Sequence, residues 1–306
     1  MTIYNSILTP WHCPVCNAEH YEGQVEFEIK APLGVRDKSM IVYRCVCGLC
    51  YTDYAVARKI PEVYGSYYYS HPRYMDIKGR EDYVDNLSKV FNHFLIDKTV
   101  SSSSLRLLDI GCATGDFVHW ALRHGYQAEG IDISEHAVSV GIKRGLPLRV
   151  DSIERFVPQF KYDIITMWDL LEHLLNPKDI LFRLQKIIKP DGLLIFKTVT
   201  SNSLIDRISR LINYFSFGKI QLPLKQMYVP GHLYYFTRKI LFRLSSENGW
   251  QVRGCKNMDT PPSSLFRSSG LRSVYNIISH IQKFTGTTYE IAFSVVPISI
   301  ISEKTI

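Results

Sequence analysis

Five of the seven cysteines fall within the first fifty positions of this 306-residue chain. Cys13-Pro-Val-Cys16 and Cys45-Val-Cys47-Gly-Leu-Cys50 are separated by 28 residues. Two tight cysteine pairs at such a separation each turn back on themselves and bring four thiolates to one tetrahedral ion, the donor set of structural zinc. Cys13, Cys16 and Cys47 are taken as ligands. The fourth is Cys45 or Cys50, because Cys-x-Cys is tighter than the usual Cys-x-x-Cys. With every position filled by protein, no chemistry is expected at the metal. A disulfide module is the alternative, and nothing in the sequence points to the oxidising compartment it needs.

A second constellation is Leu107-Leu-Asp109-Ile-Gly111-Cys-Ala113-Thr-Gly115-Asp-Phe, which reads as strand, glycine turn and helix start. Glycines let the backbone approach a ligand, and a helix N-terminus offers free N–H groups to negative charge. The spacing is not the Gly-x-Gly-x-x-Gly of a dinucleotide site. Asp109 decides the ligand: a carboxylate at the strand tip repels a pyrophosphate and welcomes a cation. S-adenosylmethionine carries a sulfonium and an ammonium, with one carboxylate for the loop amides. Asp132 ends the next strand, 17 positions after Gly115, near the offset of about 20 at which an acid reaches ribose hydroxyls. Asp151 ends the third strand, where it can accept from an adenine amino group. Each acid alone would serve as a helix cap. Three at successive strand ends behind one glycine turn are hard to ascribe to capping.

From Leu107 to Thr200 the chain resembles a class I S-adenosylmethionine-dependent methyltransferase, in the runs LLDIGCATGDF, GIDIS, YDIITMWDLLEHLLNP and PDGLLIFKT. The resemblance implies S-adenosylmethionine as cofactor, with Asp109, Gly111, Ala113, Gly115, Asp132, Ile133, Asp151 and Asp169 as its binding positions. Ala113 stands where the family more often has glycine. Asp169 is implied to lie beside the methionine end. Pro230-Gly-His-Leu-Tyr-Tyr-Phe-Thr, with the helix and Asn248-Gly-Trp after it, is similar to a subgroup of sugar and quinone methyltransferases. The cysteine module is similar to one that precedes some bacterial deoxysugar methyltransferases.

Methyl transfer is an in-line displacement, so the protein must align the nucleophile and remove its proton where it carries one. Asp169, His173 and His232 are the candidate catalytic groups. Histidine titrates near neutrality, and His173 falls one helical turn after Asp169. The plainer role for either histidine is packing and hydrogen bonding. No Asn/Asp-Pro-Pro-Tyr/Phe follows the fourth strand, which argues against methylation of exocyclic amines. Cys112 and Cys255 are not placed to attack a pyrimidine ring and read as small core residues.

The elements that must position these groups alternate regularly. Strands are expected at Leu105–Ile110, Tyr126–Ile133, Leu148–Val150, Tyr162–Trp168 and Gly192–Val199, with helices at Phe117–His124, Glu135–Arg144 and Asp179–Ile188 between them. Later strands at Trp250–Cys255 and Tyr289–Val296 flank a helix at Leu271–Lys283. This is an α/β fold: a doubly wound, mostly parallel seven-stranded sheet, preceded by a zinc ribbon. The expected units are a zinc-ribbon module at 1–60, an aromatic-rich linker and helix at 61–104, and a methyltransferase domain at 105–306 with a lid insertion at 201–235.

Apolar residues at 46% and charged residues at 21% exclude wholesale disorder. No apolar run reaches the roughly 20 residues of a membrane span, and no secretory signal is visible, so a soluble cytoplasmic protein is expected. The formal charge of +7 is concentrated: between Ser203 and Arg243, Arg207, Arg210, Lys219, Lys225, Arg238, Lys239 and Arg243 face one acid, Asp206. Interleaved with Leu204, Ile205, Ile208, Leu211, Ile212 and Phe215 at helical spacing, they suit an anionic or lipid-linked small-molecule substrate, or peripheral contact with an anionic membrane. A helix packed on the sheet edge is the alternative. The leading function is methylation of a nucleotide-linked or surface-polysaccharide sugar. RNA methylation is the second reading, weakened by a near-neutral zinc module, and a non-catalytic cofactor-binding partner protein is the third.

Overall fold

The computed structural model describes residues 12–19, 24–30, 39–52, 77–95, 104–258 and 269–298. The tyrosine cluster at 64–74 lies outside them. Two sheets organise the rest. The larger contains β4 (Arg106–Ile110), β5 (Gln127–Asp132), β6 (Leu148–Val150), β7 (Tyr162–Trp168), β8 (Ile188–Val199), β10 (Trp250–Met258) and β11 (Glu290–Pro297), in the order β10-β11-β8-β7-β4-β5-β6. The pairs from β8 to β6 are parallel, and β11 runs antiparallel to both its neighbours.

Side chains alternate faces along a strand, so each central strand feeds two cores. Leu108, Ile165, Phe196 and Phe293 enter one apolar cluster. Their neighbours Leu107, Ile164, Ile195 and Ala292 enter the other. Helices α1 (Ile77–Leu95), α2 (Asp116–Arg123) and α3 (Glu135–Lys143) cover the second face, and α4 (Pro177–Ile187) the first. β8 begins at Ile188, ahead of the expected Gly192. Its pairing jumps from Tyr162↔Ile188 to Ile164↔Leu193, so Lys189-Pro-Asp-Gly forms a bulge where Pro190 needs no ladder donor.

The smaller sheet has the order β1-β2-β3-β9, with β1 (Gln24–Lys30), β2 (Ser39–Arg44), β3 (Cys50–Thr52) and β9 (Tyr234–Tyr235). All three pairings are antiparallel. β9 comes from the region expected to be a lid, so the cysteine module is closed by a strand from the far half of the chain. Its faces alternate too. Tyr51 joins the core of the large sheet, while Cys50 joins a third cluster with Phe27, Val42, Leu224 and Tyr228.

That third cluster carries the insertion: α5 (Leu204–Phe215), capped by Ser203 Oγ accepting from Asp206 N–H, and α6 (Leu222–Met227). α7 (Arg238–Glu247), capped by Thr237, leads into β10, and α8 (Ser269–Thr285) precedes β11. Arg210 is not a free surface charge. Its guanidinium reaches Asp206 Oδ1 at 2.9 Å and the Glu26 carboxylate, and donates to Tyr228 Oη. Arg243 pairs with Glu247 at 2.7 Å. The local basic excess is therefore partly neutralised, by Asp206 and Glu247 on the same helices and by Glu26 from β1.

Candidate active site and cysteine cluster

Parallel strands aim their carboxyl ends at one edge of the sheet, where α/β folds bind ligands. β4 delivers Asp109 there, 2% exposed, with Thr166 Oγ1 donating to its Oδ1 at 2.7 Å. Burial pushes the Asp109 carboxyl up to about 7, against the Thr166 hydrogen bond and with help from nearby Asp132. The chain then turns through Gly111, Ala113 and Gly115, with φ of 74°, 49° and 77°. Left-handed backbone is free for glycine and strained for alanine, so Ala113 holds its place against a steric penalty.

The turn is braced from β5. Gly111 N–H and Cys112 N–H both donate to Ile131 O, at 2.9 and 3.1 Å. Asp132 accepts from Ala113 N–H at 2.9 Å and from Ser134 N–H at 2.8 Å. Its carboxyl is raised by burial and opposed by those amide bonds. The cap of α3 is Ser134, not Asp132. Ile133 is exposed, and Asp151 is half-buried with its Oδ1 accepting from Ser152 N–H at 2.8 Å. The whole turn rests on Leu148 of β6. A Cβ on Gly115 would lie 2.7 Å from Leu148 Cδ1, on Gly130 3.0 Å from Cδ2, and on Gly141 2.2 Å from Cδ1. The cradle thus has a close-approaching backbone and a buried carboxylate with no cation against it among the described residues, a set that fits S-adenosylmethionine. Cys112 is a packed thiol raised well above its ordinary value by burial.

β7 ends in Trp168, and Asp169 follows at φ 51°. Its Oδ2 lies 2.8 Å from Lys197 Nζ and accepts from Tyr83 Oη at 2.7 Å. Lys197, buried in β8, is held from its other side by Glu290 Oε1 at 3.2 Å. Burial pulls the ammonium down, and the two carboxylates overcome that and hold it above its ordinary value. Sequence reasoning passed over Lys197, although a lysine directly after the apolar run Leu193–Phe196, within the same strand, was the available signal.

The short helix Leu171–His173 then carries two titratable groups inward. His173 Nδ1 lies 2.9 Å from Gly231 O, which fixes the proton on Nδ1 and leaves Nε2 to accept. Burial holds this imidazole below its usual pKa, with Gly231 O and Asp169 opposing. His232 meets His173 edge to face, ring centres 4.7 Å apart. Glu172, missed as a site residue from sequence, is fully buried. Thr198 Oγ1 donates to its Oε2 at 2.8 Å, and Oε1 has no hydrogen-bond partner among the described residues. Burial, then the Asp169 charge, pushes this carboxyl up to about 8. One donor atom from each of Glu172, His173 and His232 lies within 4.8 Å of the others. The two histidines, 59 positions apart in sequence, are thereby brought to one place.

Four sulfurs converge in the N-terminal module: Cys13, Cys16, Cys45 and Cys47 lie within 4.8 Å of one another. Cys13 and Cys47 Sγ are 3.7 Å apart, and Cys16 and Cys45 Sγ 3.4 Å. Sulfurs placed tetrahedrally at about 2.3 Å from a zinc ion are about 3.8 Å apart, so spacing and donor set fit that ion. Each knuckle is closed by a left-handed residue, Asn17 at φ 62° and Gly48 at φ 93°. The hydrogen bond from Cys13 lowers the Cys47 thiol to about 5. Cys50, the alternative fourth ligand, stands apart. The two-residue alternation of β3 turns it to the opposite face of the sheet, where Arg210 Nη2 is 3.9 Å from its Sγ.

Comparison with known proteins agrees with this fold. Residues 75–253 match the family model described as a methyltransferase domain. The ubiquinone biosynthesis O-methyltransferase of Yersinia enterocolitica is 25% identical over 140 residues, 43% of this chain and 57% of the relative. That of Photobacterium profundum is 24% identical over 139 residues, 43% and 59% of the two chains. The chain thus spans little more than half the length of these curated relatives. Among solved structures, a magnesium protoporphyrin IX methyltransferase from Synechocystis with bound SAH superposes with a TM-score of 0.52. It is 14% identical, over 79% of this chain and 99% of that one. At that identity the likeness shows the fold.

Proposed function

On the premise that this chain belongs to the class I S-adenosylmethionine-dependent methyltransferases, whose domain its residues 75–253 match, we propose that it methylates an anionic small molecule, a nucleotide-linked or surface-polysaccharide sugar. The observation that supports this reading is the meeting of Glu172, His173 and His232 within 4.8 Å, after the strand next to the one that ends in the glycine turn. When bound, S-adenosylmethionine supplies a methyl carbon activated by the adjoining positive sulfur. Asp109 offers its carboxylate to that cationic ligand, beside the close-approaching backbone of the 111–115 turn. Asp132 and Ile133 flank the ribose and adenine, Asp151 accepts from the adenine amino group, and Asp169 lies at the methionine end.

The chain's own part in the reaction is alignment and proton removal. Burial favours the uncharged ring of His173, and the bond to Gly231 O puts its proton on Nδ1, so that Nε2 is the accepting atom. His232 lies beside it, and either ring would take the proton of an acceptor hydroxyl as that oxygen replaces sulfur on the methyl carbon. Glu172, raised to about 8, is protonated at neutral pH and adds no competing charge until the solution turns alkaline. The cysteine cluster holds a structural zinc through Cys13, Cys16, Cys45 and Cys47, with no open position for chemistry.

The sugar reading draws on the Pro230–Thr237 segment, similar to sugar and quinone methyltransferases, and on the cysteine module, similar to one that precedes deoxysugar methyltransferases. RNA has less support, because Arg210 and Arg243 are engaged by carboxylates of this chain. The surface around α5 favours an acceptor presented at an anionic membrane. Leu211, Tyr214, Phe215 and Phe217 are exposed, Phe217 at 92%, beside exposed Arg207 and Lys219. No helix among the described residues is long and apolar enough to cross a membrane.

The test is transfer of labelled methyl from S-adenosylmethionine to a panel of nucleotide sugars, lipid-linked saccharides, quinone precursors and RNA. Label in a sugar supports the reading, and label in RNA alone overturns it. Full turnover in both His173→Gln and His232→Gln removes the histidines from the mechanism. Pelleting with phosphatidylglycerol vesicles at low salt tests the membrane contact, and its absence there removes it.

A further inference from the structure

We propose that the cysteine module is the brace of the acceptor wall, with Thr52 as the residue that positions His232. This rests on the reading that His232 faces the acceptor. The connection runs through hydrogen bonds without a gap. In the second knuckle, Gly48 N–H donates to Cys45 O at 2.7 Å and Cys45 N–H to Leu49 O at 2.9 Å, and the next residue starts β3. β3 pairs with β9 as Cys50↔Tyr235 and Tyr51↔Tyr234. The ladder continues beyond the strands: Thr52 N–H donates to Leu233 O at 2.9 Å, and Thr52 Oγ1 donates to His232 O at 2.7 Å.

From the other side the same three residues are gripped by the site itself. Leu233 N–H donates to Glu172 O at 2.8 Å, and His173 Nδ1 to Gly231 O at 2.9 Å. Residues 231–233 are therefore clamped between the cysteine module and the 171–173 turn. Thr52, Leu233 and Tyr234 are all buried. A carbonyl that loses its donor between such neighbours is left short of a partner, and the segment shifts to relieve it. The cofactor turn has other supports, Ile131 O and the Asp132 carboxylate. Loosening the knuckle thus moves the acceptor wall and leaves the cofactor cradle in place. A metal with no open position still acts on catalysis, through the placement of one imidazole.

The test uses the full chain with its metal bound and compares wild type, Thr52→Val and Thr52→Ser. Three quantities are read: hydrogen exchange across 228–236, the imidazole NMR signals of His173 and His232, and S-adenosylhomocysteine affinity by calorimetry. Thr52→Val keeps the shape and deletes the donor. It is expected to speed exchange in 228–236 about tenfold, the effect of one buried hydrogen bond worth about 1.4 kcal/mol. It also shifts the His232 signals, while zinc content stays at the wild-type level and affinity stays within about twofold. Thr52→Ser restores both readouts. Removing the metal from wild type with a chelator reproduces the Thr52→Val signature more strongly, again with affinity retained. Unchanged exchange and signals in Thr52→Val overturn the proposal, as does a Thr52→Ser variant that behaves like valine. A parallel collapse of affinity also overturns it, since the effect is then general unfolding. If wild type itself binds no S-adenosylhomocysteine, the methyltransferase reading fails, and the exchange comparison still decides the brace.

Discussion

Replacing Asp109 with Asn should make the cofactor-free protein more stable while abolishing cofactor affinity, and the gain should depend on pH in a defined way. In the fold the Asp109 carboxyl titrates at about 7, against 3.8 for the ordinary group, chiefly because it is buried. A raised carboxylate pKa means that the unfolded chain sheds its proton first as pH rises. Below about 3.8 both states are protonated and the carboxyl adds no penalty. From there to pH 7 stability falls, and above 7 the penalty is complete. About three pKa units at 1.36 kcal/mol each set a ceiling of about 4 kcal/mol. Relaxation of the site around a charge in the real protein brings the expected gain to about 2–4 kcal/mol. Asn keeps the Oδ1 that accepts from Thr166 at 2.7 Å, so no hydrogen bond is given up. Urea unfolding of both proteins at pH 4, 6 and 8 is the assay. The gap should be smallest at pH 4 and widen progressively to pH 8. A destabilised Asp109→Asn at pH 8, or a gap that does not vary with pH, would refute the argument. The same charge gives a second readout. A cation bound against Asp109 at pH 6.5 must expel its proton, which appears as a buffer-dependent binding enthalpy.

Ala113→Gly should raise stability by about 0.5–1 kcal/mol, the relief of a left-handed alanine less the added chain entropy, read as a rise in thermal midpoint. An unchanged or lower midpoint would show that the strain at φ 49° is absorbed elsewhere. Lys197→Met leaves the Asp169 and Glu290 carboxylates facing each other without the cation between them. It should cost about 3–5 kcal/mol in urea unfolding; a loss of about 1 kcal/mol or less contradicts the pairing. Cys45→Ser should lose zinc in elemental analysis of the purified chain, whereas Cys50→Ser should retain it, and the opposite outcome would return Cys50 to the ligand set.

The sheet was legible because each strand in it advertises itself locally. Leu107–Ile110 and Ile164–Met167 are short apolar runs next to turn residues, and the intervening helices keep their spacing. What escaped is what depends on contacts distant in sequence. β9 is two tyrosines long, too short for any periodicity, and exists only because β3 lies beside it. The meeting of His173 with His232 follows from that same pairing. Of the two candidate cysteines, spacing alone favoured neither; the alternation of β3 separates Cys50 from the knuckle, and that register is set by Tyr51 entering the large core. Glu172 and Lys197 are buried charges in apolar surroundings, and their partners come from other elements: Thr198 for one, Asp169 and Glu290 for the other.

Leu148 touches the space that side chains at positions 115, 130 and 141 would fill. At 130 such a side chain would also lie 2.7 Å from Cys112 Cβ and Sγ, and at 141 2.8 Å from the backbone oxygen of Thr114. Trimming the leucine alone therefore clears neither position. The two glycines are held by three neighbours at once, so exchange at either is conditional on the cofactor turn itself giving way.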